Sequence, residues 1–416
     1  MTFSNPYFTL VLAAMLAVHA VGMLATILNL KALQPELPAD FQDVLDPDEY
    51  RKSQAYARES ARFEMVSSTA TLLVFLAFWL SGGFAWLDAL VRSRVDAPVM
   101  QGLVFVSLLY LGNLFVSLPF TIYDTFVIEA KYGFNKTTPA TFIADRIKGL
   151  LLGALLGLPL LALLLWVFGK YEHAWIWAWA ATTAFMLAML YIGPVWIMPL
   201  FNKFTPLQDG PLKEEVTALA QRCGFPFKEV SIIDGSKRST HSNAFFAGFG
   251  KNKRIALYDT LVEQQTVPEL TAVLAHEIGH CKRRHIIQRV ILSIVHIGVL
   301  FFLFGLFLNE SRLREAFGVA QPSVHVSLVL FMLVFQCVEY ALGIVLSMWS
   351  RKHEYEADAY AAAAVGSAAP LISALKKLAK HNLSNLTPHP VYVFLNYSHP
   401  PLRERFAAMR RLPAGA

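Results

Sequence analysis

Residues 274 to 280 read LAHEIGH, and His276, Glu277 and His280 have the types and spacing of metal-assisted hydrolysis. Histidines four apart on a helix face the same way and can share one zinc ion, while Glu277, one position round, can take a proton from water. A catalytic zinc needs a third protein ligand and one open position. In the longer motif that adds a glycine and a third histidine downstream, those places hold Arg283 and Ile286, and His285 falls one residue early. The remaining source is SRKHEYEADAYA (350 to 361), where Glu354 and Asp358 are again four apart. One of them can ligate the metal while the other accepts a hydrogen bond from a ligating imidazole; Glu356 points elsewhere on the helix.

The elements that must position these residues include membrane spans. The chain has 416 residues, 55% of them hydrophobic, against 45 to 50% for a typical soluble protein. Its mean hydropathy is +0.45. Seven runs reach the roughly 20 residues needed to cross a hydrocarbon core: Tyr7 to Leu30, Met65 to Leu87, Met100 to Ile122, Gly149 to Phe168, Ala174 to Pro199, Val290 to Leu308 and Val324 to Met348. No Lys or Arg precedes Lys31, so the first run reads as a retained helix without processing.

Basic residues set the expected orientation. The stretches Lys31 to Arg62 and Tyr123 to Lys148 hold five and four Lys or Arg; the connections on the other side hold two, one and two. The positive-inside rule then puts the N-terminus outside and the C-terminus in the cytoplasm. The net charge of +6 follows from this topology, and no basic stripe argues for nucleic acid. The expected organisation is 1–199 for helices one to five, 200–286 for the first part of a cytoplasmic domain carrying the histidine motif, 287–348 for helices six and seven, and 349–416 for its second part. Lys282, Arg283 and Arg284 read as the cytoplasmic anchor of helix six. Glu339, midway along the seventh run, is expected to face a bundle interior or water, since facing lipid costs about 3 kcal/mol or more. The three cysteines are too few and scattered for a disulfide framework.

Short strands are expected at Val230 to Asp234, Asn243 to Phe249 and Arg254 to Tyr258, the last two joined as a hairpin through Gly250 to Lys253. Thr266 and Glu269 form a capping box that starts the motif helix.

With these residues placed, the chain resembles the type I CaaX prenyl protease family of integral membrane zinc proteases, along nearly its whole length. The blocks that carry the likeness are FVIEAKYGFNKTT (126 to 138), LFNKFTPL (200 to 207), GSKRSTHSNAFFAGFGKNKRIALYDTL (235 to 261), LAHEIGH, RKHEYEADAYA (351 to 361) and NYSHPPLRERF (396 to 406). The resemblance implies a mainly α protein, with seven transmembrane helices enclosing a chamber and a gluzincin-like protease domain with a small β-sheet. It also implies one Zn2+ held by His276, His280 and Glu354, with Glu277 as general base and Asp358 as the partner behind a ligand. By the same resemblance, Asn243 aligns a peptide on an edge strand, His399 steadies the oxyanion and Arg405 orders the surrounding side chains. The expected partners are the lipid bilayer and a peptide or protein substrate carrying a prenyl group, or a broader set of membrane proteins. The expected setting is a bacterial inner membrane, or the ER membrane in a eukaryote. The competing reading is a non-proteolytic transporter or scaffold with a structural zinc; it has no use for Glu277, and a closed structural site normally takes four protein ligands.

Overall fold

The computed structural model describes residues 5–227, 229–247 and 254–412. Among these, seven helices are long and apolar enough to cross a membrane: Pro6–Lys31, Pro47–Leu80, Pro98–Tyr132, Pro139–Lys170, Ala174–Leu200, His285–Phe307 and Val324–Val365. The first four open on proline, whose fixed φ suits the first helical position and whose missing N–H costs nothing there. Side-chain caps secure several starts: Asn5 accepts from Tyr7 N–H, Asp46 and Glu49 form a capping box, and Thr138 accepts from Thr141 N–H. In the second and fifth helices only 6% and 0% of the residues in the apolar window are buried, so most of their apolar side chains keep accessible surface.

Several helix boundaries differ from the expected runs, most instructively in the second, sixth and seventh. The second run is not one helix: the helix begins at Pro47, well before Met65, and ends at Leu80. Gly82 then takes a left-handed conformation, and a separate helix, Gly83–Arg92, follows. Hydropathy alone merges the two because both are apolar. The seventh helix does not stop at Met348 but runs on to Val365, 42 residues in all from Val324. Polarity changes at the membrane boundary, but nothing in the sequence breaks the backbone until Gly366 turns left-handed. The sixth helix starts at His285, five residues earlier than expected.

Inside the spans, His296 on the sixth helix and Glu339 on the seventh meet at 2.8 Å, so this half-buried carboxylate has an imidazole partner. At the far end of the spans, Trp79 stacks on Phe317 at 4.6 Å, and Asp88 accepts hydrogen bonds from Arg92 (2.8 Å) and His325 (3.0 Å).

The water-exposed domain contains a four-stranded sheet in the order β1-β2-β4-β3. The strands are β1 (Phe204–Pro206), β2 (Glu229–Ile233), β3 (Ala244–Ala247) and β4 (Arg254–Tyr258). β2 and β4 run parallel, and β3 pairs antiparallel with β4, as a hairpin requires. The connecting turn expected at Gly250 to Lys253, and the end of the expected strand beyond Ala247, lie outside the described residues. β1, with three residues and a proline, gave no readable strand signal.

The domain's core gathers Leu219, Val230, Leu257, Leu270, Leu274, Ile278, Ala374 and Phe406. It also takes in Phe41, Leu45 and Tyr50 from the segment between the first two spans. Arg238 ties the domain to the fourth span, donating to both oxygens of Asp145 at 2.7 and 3.0 Å.

Candidate active site

The site is built where the motif helix (Val267–Lys282) lies against the C-terminal part of the seventh helix. The motif helix starts as its sequence demands: Thr266 N–H donates to Glu269 at 2.7 Å, closing the capping box. Glu269 also accepts from Lys377 at 2.7 Å and Ser373 at 2.6 Å, anchoring the helix start to the helix Ala369–His381. At the other end Arg283 caps the helix and Arg284, at φ 60°, turns the chain into the sixth span. Lys282 donates to the Gly224 carbonyl at 3.0 Å, so this member of the basic cluster serves the domain rather than a lipid surface.

Gly279 sets the closeness of the two helices. A Cβ there would lie 3.1 Å from the Ala357 Cα and 3.2 Å from its carbonyl oxygen, so only glycine lets the backbones approach this far.

That approach brings His276, His280 and Glu354 together. The two Nε2 atoms are 3.2 Å apart; Glu354 offers one oxygen 3.5 Å from His276 Nε2 and the other 3.3 Å from His280 Nε2. Bonds of about 2.0 to 2.1 Å in a tetrahedral arrangement would separate the ligand atoms by about 3.3 to 3.4 Å. The observed spacings bracket that value, and two imidazoles with one carboxylate are a donor set that a divalent transition metal accepts. His276 and Glu354 are both buried, at 8% and 3% exposure, so the cluster is sheltered on its protein side.

Behind the trio lies a second layer. Asp358 Oδ1 is 2.9 Å from His276 Nδ1, at an oblique angle, and accepts with its other oxygen a 2.8 Å bond from Arg405 Nε. Arg405 Nη2 adds a 2.6 Å bond to Oδ1, making the pair bidentate, and Nη1 stands 3.5 Å from Glu354. Burial alone would lower the His276 imidazole, but Asp358 and Glu354 override it and raise it to about 9, which marks the pocket as one that draws positive charge.

Glu277 opens onto a cavity of about 270 Å³ that His276, His280, Glu354 and His399 also line. Burial raises the Glu277 carboxyl above the usual range although the two imidazoles pull it down, which moves its basicity toward neutral pH. His399 is the exposed member: its Nε2 lies 3.4 Å from Glu354, its Nδ1 3.0 Å from Ser398 Oγ, and 63% of its side chain is open.

Asn243 stands one residue before β3, at the outer edge of the sheet. Its side chain is exposed and accepts from the Ala244 N–H at 2.8 Å, and no contact among the described residues joins it to the histidines.

Three residues near the trio escaped sequence reading. His285, dismissed as a misplaced ligand, contacts His280; Glu356, placed on another helix face, contacts His285; and His353 stacks on His285. The spacing of His280 and His285 does not match a regular helix, because the turn at Arg284 intervenes. No periodicity argument could have found them.

A seven-span helical protein that presents this trio and a neighbouring glutamate is a membrane metallopeptidase. Its residues 26–203 match the family described as CAAX prenyl protease N-terminal, five membrane helices, and residues 206–412 match peptidase family M48. Among curated relatives, CAAX prenyl protease 1 of Saccharomyces cerevisiae is 38% identical, covering 91% of this chain and 89% of the relative. The CAAX prenyl protease 1 homologs of Oryza sativa (37%, 97% of each chain) and Homo sapiens (34%, 90% of this chain and 89% of the relative) match similarly. The crystal structure of S. mikatae Ste24p superposes with a TM-score of 0.92 at 36% identity, over 97% of this chain and 99% of that one. The chain belongs to the CAAX prenyl protease 1 family of M48 zinc metallopeptidases.

Proposed function

We propose that the chain hydrolyses peptide bonds close to the C-terminus of prenylated CaaX-type proteins, with His276, His280 and Glu354 holding one Zn2+. The observation that carries this reading is the 3.2 to 3.5 Å spacing of the trio beside Glu277 and its cavity. When bound, the metal lowers the pKa of a water toward about 7 and polarises the scissile carbonyl. Glu277 accepts the proton from the attacking water and delivers it to the leaving amine, so one water is consumed per bond and no covalent intermediate forms. His399 donates a hydrogen bond to the carbonyl oxygen as it becomes negative. Arg405 braces Asp358, which orients His276. Asn243 aligns the substrate, which adds as an extended strand along the open side of β3.

The orientation proposed from the basic loops puts this site and the C-terminus in the cytoplasm, where a lipid-anchored substrate is presented. The low burial of the second and fifth spans suits the chamber expected of the family. A broader role in membrane-protein turnover uses the same machinery and differs in substrate alone.

The test is cleavage of one peptide in farnesylated and unprenylated forms by purified protein, with and without chelator. Release of the C-terminal tripeptide, faster from the farnesylated form and abolished by chelator, is expected. Equal rates would remove the prenyl group from the specificity, and chelator-insensitive cleavage would remove the metal.

A further inference from the structure

We propose that His285 and Glu356 are positioning residues for His280, forming a relay that fixes the tautomer and ring angle with which this imidazole meets the metal. The inference rests on the reading of His280 as a ligand and extends it to residues that the motif does not contain.

The geometry is specific. His280 turns Nε2 toward the trio and Nδ1 away from it, and His285 Nδ1 lies 3.0 Å from that Nδ1. His285 Nε2 is in turn 3.0 Å from the Glu356 carboxylate. A neutral imidazole has one N–H and one lone pair. If His280 offers the Nε2 lone pair to a metal, its proton is on Nδ1 and must find an acceptor. The neighbour at hydrogen-bond distance is His285 Nδ1, which therefore carries no proton. The His285 proton is then on Nε2, aimed at an acceptor that is never a donor at neutral pH. Each group in the chain His280, His285, Glu356 thus has one assignment compatible with its neighbours.

Burial makes the assignment consequential. His285 is 1% exposed, so water cannot substitute for the lost partner. Its ring is also clamped: His353 stacks on it at 3.8 Å with 6° between planes, and Trp349 packs against His353 at 4.5 Å. The left-handed turn at Arg284 is what brings His285 back beside His280, five residues along. A non-glycine residue there is strained, and strain of this kind persists where the surroundings demand it.

The seventh helix consequently supplies three carboxylates with separate tasks. Glu354 completes the trio, Asp358 braces His276, and Glu356, on the other side, braces His280 through His285. Loss of such outer partners typically lowers metal affinity 10- to 100-fold.

The test compares His285→Phe, which keeps the stacked ring and removes both nitrogens, with His285→Gln, whose amide can accept from His280 and donate to Glu356. Zinc affinity by chelator competition and the visible spectrum of the Co2+-substituted protein are measured on the full-length protein. His285→Phe is expected to weaken zinc binding about 10- to 100-fold and alter the cobalt bands, while His285→Gln stays within about threefold of wild type. Unchanged affinity and spectrum in His285→Phe, or a Gln variant as impaired as Phe, would overturn the proposal. Should His285→Phe fail to fold, Glu356→Leu, with a side chain 37% exposed, replaces it. It should weaken zinc binding several-fold where Glu356→Gln does not, and equal binding by the two refutes the relay. His280→Ala separates the two readings: if it keeps wild-type zinc affinity, the ligand assignment itself is wrong.

Discussion

Replacing Gly279 with alanine adds one methyl group at the closest approach of the motif helix and the seventh helix. Its carbon would lie 3.1 Å from Ala357 Cα, 3.2 Å from the Ala357 carbonyl oxygen and 3.2 Å from Tyr360 Cβ. Comfortable carbon contacts are about 3.5 to 4.0 Å, so the helices must part by roughly 0.4 Å or more along that line. Backbone Cα and carbonyl atoms cannot swing aside as a side-chain end would. Metal sites tolerate about 0.2 Å in their ligand distances, half of that displacement. The same substitution raises helix propensity by about 1 kcal/mol, which offsets much of the overpacking cost of about 1 to 3 kcal/mol. The expected result is therefore a protein of near wild-type thermal stability whose zinc affinity falls about tenfold or more, with Gly279→Val worse on both counts. Chelator competition and differential scanning fluorimetry on the purified protein separate the two effects. An alanine variant with wild-type zinc affinity would show that the helix spacing does not set the ligand geometry.

Two further outcomes follow from the same geometry. Glu277→Gln keeps the side chain's size and leaves the trio intact, so zinc content by metal analysis should match wild type while kcat falls about 10²- to 10⁴-fold; turnover near wild type would eliminate Glu277 as the base. Glu269→Ala removes the capping-box carboxylate and strands Lys377, and should lower the stability of the domain by about 2 to 3 kcal/mol, read as a drop in Tm in detergent. Burial alone would raise the Glu269 carboxyl, but Lys377, Ser373 and the Thr266 amide outweigh it and hold it below its ordinary value. A carboxylate lowered on folding stabilises fully above its free-chain value of about 4.3, and that contribution is lost as pH falls through the lowered native value. The stability gap between wild type and Glu269→Ala should thus close on acidification, and a gap that persists in acid would mean that the charge of Glu269 is irrelevant.

What could be read from the sequence was what depends on short, regular repeats. His276 and His280 share a helix face because they are four apart, and Glu354 and Asp358 share one for the same reason, so both halves of the site were visible before any fold was known. The capping box at Thr266 and Glu269 was equally local, as was the pairing of the strands around Arg254 to Tyr258. Hydropathy found all seven spans but misjudged their ends, because a helix continues through a change of polarity when no glycine or proline intervenes, as after Met348. It also merged two apolar helices across the Gly82 turn. Contacts made across a strained turn, or between segments distant in the chain, left no periodic trace. The His280, His285 and Glu356 chain is of the first kind, and the entry of Phe41 and Tyr50 into the domain core is of the second.

The 42-residue seventh helix has a consequence for scale. Its apolar part, Val324 to Met348, rises about 38 Å at 1.5 Å per residue, ample for a hydrocarbon layer about 30 Å thick even when tilted. Glu354 follows six residues later on the same rod, so it stands about 9 Å beyond the end of the apolar part, at a height fixed by backbone rise alone. The candidate metal ligand and the apolar span are thus parts of one unbroken rod, so the site cannot shift along the helix axis relative to that span.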